Sequence, residues 1–159
     1  MSYLALKFLH ILGSAVLFGT GLGIAFFAWF GYRRGMHEGE IALVRGVLRL
    51  TVIADTVFTA VWAVLQPITG YFLWRMTGGT WPDRWLAWVL AFYVFVGACW
   101  LPVVLLQIQL RNAAMAAPGT AALDARFHRR FRTWFVLGWP AFLAVMVLFA
   151  LMLARGYFR

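Results

Sequence analysis

The stretch WLAWVLAFYVFVGACWLPVVLLQIQL, Trp85 to Leu110, decides the fold. It holds no charged residue, and it exceeds the roughly 20 residues that a helix needs to cross a hydrocarbon core. It does not alternate polar with apolar, and lipid demands a backbone whose hydrogen bonds close internally, so it reads as a helix. Three more runs of this kind flank it: Leu4–Phe30, Val47–Trp74 and Thr133–Ala154. The first has no small-residue cleavage site and is too long for a signal-peptide core, so it reads as a retained helix. Residues 1–159 are therefore expected to form a single transmembrane domain, an all-α integral membrane four-helix bundle.

Composition points the same way. The chain is 64% hydrophobic and 12% charged, against about 25% charged for a soluble domain. Mean hydropathy of +0.84 excludes a disordered chain. Aromatic residues make up 18%, which suits interfacial belts, with Trp74, Trp81, Trp85 and Trp88 forming one. A single Cys excludes a disulfide framework and an all-Cys zinc site. The net charge of +9 would suggest nucleic acid in a soluble protein. Here the Arg residues flank apolar runs, so they read as membrane-surface anchors that touch anionic lipid, with no nucleic-acid partner.

The basic residues also set an orientation. Arg33, Arg34, Arg45, Arg49, Arg111, Arg126, Arg129, Arg130 and Arg132 lie on one side; Lys7, Arg75, Arg84, Arg155 and Arg159 lie on the other. The positive-inside rule then puts the first and third loops in the cytoplasm and both termini outside. Those loops read as Gly31–Gly46 and Asn112–Asp124, and Gly78–Asp83 reads as a tight outer turn. No loop is long enough for a separate domain, and Gly19-Thr20-Gly21-Leu22-Gly23 lies within a helix, where it cannot cradle phosphate.

Ionisable residues inside a bilayer are costly and mark candidate sites. His10 lies about two turns inside the first span. Gly13 and Ser14 follow at i+3 and i+4, with Gly21 further along, so small residues leave room beside the imidazole for a flat macrocycle held through an axial ligand. The alternative is a His bonded to a neighbouring helix, with Gly13 and Ser14 allowing close packing. Met146, in the fourth span, is a candidate second axial ligand or core filler. His37 and His128 fall in Arg-rich loops and read as solvated or lipid-facing. In the second span Thr51, Asp55, Thr59 and Gln66 share a face, which Trp62 and Thr69 extend. This polar stripe suits proton transfer or head-group binding; alternatively Asp55 pairs with Arg49, Arg111 or Arg132 and locks helix packing. In the third span Trp88, Phe92, Phe95, Cys99, Pro102, Leu106 and Gln109 form a packing stripe, and Gln107 and Gln109 read as interfacial. Ala15, Gly19 and Gly23 make a small-residue face, within the bundle or between two protomers.

The opening Leu6–Gly13, with Lys7-x-x-His10-Ile11 followed by Phe18-Gly19, resembles small bacterial membrane proteins of the CopD/HemJ-like superfamily. Pro67-Ile68-Thr69-Gly70, Trp85-Leu86, Leu101-Pro102 and Leu137-Gly138-x-Pro140 extend the resemblance over most of the chain. The whole pattern most resembles the family called domain of unknown function 2269. The resemblance implies a bacterial inner membrane and a heme b site with His10 as the iron ligand. Ala28–Arg34 stands where HemJ-like proteins carry Pro-Arg-Leu and Tyr-His, which points away from protoporphyrinogen oxidation. The His and Met clusters of copper capture are also missing. The leading expectation is a heme b protein in electron transfer, with a quinone or redox partner and a homodimer through helix one. A small-molecule or proton-linked transport or binding protein, and a non-catalytic membrane scaffold, are the alternatives.

Overall fold

The computed structural model describes residues 2–158. It is a four-helix bundle: α1 (Tyr3–Glu38), α2 (Ile41–Met76), α3 (Arg84–Ala116) and α4 (Ala125–Leu153), with a closing 3-10 turn at Ala154–Phe158. Each helix is long and apolar enough to cross a membrane, and the described residues contain no strand. The helices alternate in direction, so the start of α1 and the end of α4 share one face with the Thr77–Asp83 turn, and the Arg-rich connections occupy the other.

The helices start where the sequence supplies caps. Ser2, Asp83 and Asp124 accept from the backbone N–H of Ala5 (3.3 Å), Leu86 (3.1 Å) and Phe127 (2.8 Å). At the Arg-rich face the helices run well past the apolar segments. The expected Gly31–Gly46 loop is almost entirely helical, and only Gly39-Glu40 separates α1 from α2. Gly39 ends α1 in the left-handed region at φ 73°. Gly31 and Gly35 are contact glycines rather than breakers: a Cβ at either would run into Val47 or Val44 of α2. Arg34 and Glu38 pair at 3.0 Å along the extension.

The tightly packed core lies in the Arg-rich half. Ala28, Val44, Leu48, Leu110, Ala114, Phe127, Phe131 and Trp134 are all buried there. Arg45 closes it by donating to Ala114 O (3.1 Å) and Ala117 O, carbonyls that the end of α3 leaves without helical partners. At the opposite face Trp85 Nε1 donates to Leu151 O (2.7 Å), and Arg155 donates to Thr77 Oγ1 (2.7 Å). Large apolar side chains cover the outside, up to Leu153 at 88% exposure, while most buried side chains of α2 between Thr51 and Thr69 are polar. A bilayer gives that distribution a physical basis, since lipid solvates Leu as well as a core does.

The expected packing stripe on α3 is displaced by one residue. The buried face runs through Val103, Gln107, Leu110 and Ala114, whereas Trp88, Phe95, Pro102 and Gln109 are exposed. Aromatic side chains face lipid as readily as protein, so an apolar stripe does not single out the inner face.

Candidate functional site

Among the described residues the buried polar side chains are Thr51, Asp55, Gln66 and Thr69 of α2 and Gln107 of α3. They form two clusters on the bundle side of α2, about 16 Å apart along the helix between Asp55 and Gln66.

The first cluster joins α1 to α2 near the face where α1 starts. His10 Nδ1 lies 2.7 Å from Thr69 Oγ1. The Thr69 hydroxyl has one proton, and it donates back to Leu65 O at 2.9 Å. The same hydroxyl lies 3.2 Å from Gln66 O, and its contact with His10 engages Nδ1 and leaves Nε2 outside the bond. Nε2 has no hydrogen-bond partner among the described residues. Gly70 makes this approach possible, because its missing Cβ would sit 3.2 Å from His10 Cε1. The His10 carbonyl accepts from Gln66 Nε2 (2.9 Å) and from Ser14 Oγ (2.9 Å).

The small residues beside His10 are engaged in packing. Gly13 is buried beneath Trp62 and Gln66, whose atoms occupy the place of a Cβ, and Ser14 lies 3.4 Å from Gln66 Oε1. The space expected for a macrocycle on that side is filled. Gly21, like Gly19 and Gly23, has nothing within 4 Å of a would-be Cβ, so open space lies beside it. Met146 is 45% exposed, so it sits on the outside of α4 and is not brought to His10.

The second cluster surrounds Asp55, which is only 5% exposed. Asp55 opens a π-helical segment, Asp55–Ala60, in the middle of α2; such segments widen a turn and are frequent at functional sites. Trp100 Nε1 of α3 donates to Asp55 Oδ1 at 3.2 Å. Gln107 stands between Asp55 and Trp134: its amide nitrogen donates to Asp55 Oδ2 (3.3 Å), and its oxygen accepts from Trp134 Nε1 (3.2 Å). That orientation is the one in which donors meet acceptors at both ends. Thr59 lies beside the carboxylate, yet its buried Oγ1 makes no well-formed hydrogen bond.

No Arg reaches Asp55. Arg49 and Arg132 are exposed, Arg111 is turned onto Asn112 (2.8 Å), and Arg34–Glu38 is the one ion pair among the described residues. Asp55 is held by neutral donors instead. Gln107 is not interfacial but 3% exposed. His128 is not simply solvated either, since its Nδ1 lies 2.6 Å from Tyr32 Oη and ties α4 to α1. His37 is exposed. The His10 and Asp55 clusters do not merge, and no group of three or more His, Cys, Asp or Glu suited to a metal ion forms among the described residues.

Comparison with curated proteins and with solved structures finds no match. A family model described as "Predicted integral membrane protein (DUF2269)" matches residues 4–156. With four apolar helices closing over nearly that whole span, the chain belongs to the DUF2269 family of integral membrane proteins.

Proposed function

We propose that the protein binds heme b through His10 and takes part in single-electron transfer within a bacterial inner membrane. One observation carries this reading: His10 is anchored through Nδ1 on Thr69, with Nε2 left unpaired. Ligating imidazoles are commonly held this way, because the anchored N–H orients the ring and raises the basicity of the other nitrogen. The donor chemistry fits one axial position. The space between Gly13, Ser14 and Trp62 does not fit a macrocycle, so those residues would not hold the porphyrin. Heme would supply a one-electron couple whose potential follows axial-ligand identity and burial. Thr69 would hold the ring, and Gln66 and Ser14 would fix the α1 backbone at His10. The unpacked Gly19 and Gly23 face of α1 is where a second copy would dock; it lies opposite His10 on the helix, so that contact would not supply a second ligand.

The test is an absorption spectrum of the detergent-purified protein, oxidised and reduced. A Soret band that shifts on reduction is expected. His10→Ala should remove it, while His37→Ala and His128→Ala should keep it. Thr69→Val should retain heme but alter its reduction potential. A colourless wild type, or full heme content in His10→Ala, overturns the proposal.

A further inference from the structure

We infer that Asp55 is a proton-uptake site whose hydrogen-bond partners accommodate both the carboxylate and the carboxylic acid. It goes beyond the His10 reading and holds whether or not heme is bound. The carboxylate form is met by two neutral N–H donors, Trp100 Nε1 on Oδ1 and Gln107 Nε2 on Oδ2. These donors occupy lone pairs that a metal cation would take. The acid form needs an acceptor for its new O–H. Gln107 cannot supply one, because Trp134 Nε1–H pins the amide oxygen on its far side. The Thr59 hydroxyl, buried beside the carboxyl, can serve both forms: it donates to the carboxylate and accepts from the acid.

The step balances simply. A proton from water forms one O–H bond on a carboxylate oxygen, no electrons move, and one negative charge inside the membrane is neutralised. No other ionisable side chain complicates it. Between His10 and Tyr32, α1 carries none. On α2 Arg49 is exposed; on α3 Tyr93 donates to Ala63 O, Cys99 is half-buried next to Trp100 in sequence, and Arg111 is turned onto Asn112; on α4 Arg132 is exposed and His128 is bonded to Tyr32. The π-helical segment places Asp55 and Thr59 in the same widened stretch of α2.

The experiment is infrared difference spectroscopy of the full chain in lipid nanodiscs, titrated over roughly pH 4 to 10, a range wide enough for a buried carboxyl. A protonated-carboxyl band that titrates in wild type and vanishes in the near-isosteric Asp55→Asn is expected. Thr59→Val removes a hydroxyl whose bond to the charged carboxylate is stronger than its bond to the neutral acid, so the midpoint should move to higher pH, by about one unit for one lost hydrogen bond. Gln107→Leu removes a donor to the anion and should move it to higher pH. Thr59→Ser, which keeps the hydroxyl, should titrate as wild type. A wild type with no band that Asp55→Asn removes, or a Thr59→Val midpoint equal to wild type, overturns the inference.

Discussion

The Tyr93 hydroxyl of α3 donates to the one α2 carbonyl that Pro67 orphans. In a regular helix the N–H of residue 67 would bond to Ala63 O; proline has no N–H, and Tyr93 Oη–H takes its place. Within a bilayer no water stands ready to satisfy that carbonyl, so a neighbouring helix has to do so. This contact and the Trp100–Asp55 bond clasp α2 to α3 at two points.

That relationship makes a double-mutant cycle decisive. Tyr93→Phe should lower stability by about 1–3 kcal/mol, the cost of a buried unsatisfied carbonyl. In a Pro67→Ala background the restored N–H satisfies Ala63, and Tyr93→Phe should become nearly neutral. Thermal midpoints of the four proteins in one detergent measure the coupling. Equal costs of Tyr93→Phe in both backgrounds would refute the assignment.

The spans were legible because length and hydropathy alone decide whether a segment crosses lipid. The helix ends were not, because the expected ends of the spans are set by hydrocarbon thickness, while α1 and α2 continue until Gly39 turns the chain. Asp55 was legible from the cost of a carboxylate in a bilayer. Its partners were not. Trp100 and Gln107 lie on the face of α3 one residue away from its aromatic stripe, and only the packing of α3 on α2 reveals them. At His10 the small residues were visible, but Trp62, on another helix, fills the space they leave.

The Arg-rich face is expected to be cytoplasmic. Nine basic residues lie on the side holding Arg33 to Arg49 and Arg111 to Arg132, against five on the other. In a Cys99→Ala background, a single Cys at Thr80 should react with a membrane-impermeant thiol reagent in intact cells. A Cys at Ala121 should react only after lysis. The reverse pattern would invert the topology.

Asp83 should make the turn between α2 and α3 sensitive to acid. Burial pushes its carboxyl upward, but this is outweighed by the Trp74 indole N–H (2.7 Å), the Leu86 and Trp85 backbone N–H groups and the charge of Arg155, so it titrates below its ordinary 3.8. With the folded value below the unfolded one, its contribution is fully present above about pH 4 and is lost as pH falls through the folded value. The part of the tryptophan fluorescence change that Trp74→Phe removes should report the loss in a pH series, and Asp83→Asn should flatten it. An Asp83→Asn profile identical to wild type below pH 4 would remove Asp83 from the account.

Glycine substitutions along α1 separate close packing from open space, and magnitude decides the sign. Exchanging Gly for Ala inside a helix gains about 1 kcal/mol of intrinsic propensity. At Gly21 nothing lies within 4 Å of the new Cβ, so Gly21→Ala should leave stability equal or raised. At Gly13 the new methyl collides with the Trp62 ring and the Gln66 amide. Forcing an extra carbon into such a contact costs about 1–3 kcal/mol, and here it also threatens the Gln66 bond to His10 O. Gly13→Ala should therefore lower the thermal midpoint despite its better propensity. The displaced Gln66 and Trp62 would also loosen the seat of His10, so reactivity of the imidazole toward diethylpyrocarbonate should rise in Gly13→Ala and stay at the wild-type level in Gly21→Ala. If the two variants behaved alike in both measurements, the close approach of α1 and α2 at Gly13 would be wrong, and with it the claim that Trp62 fills the space beside His10.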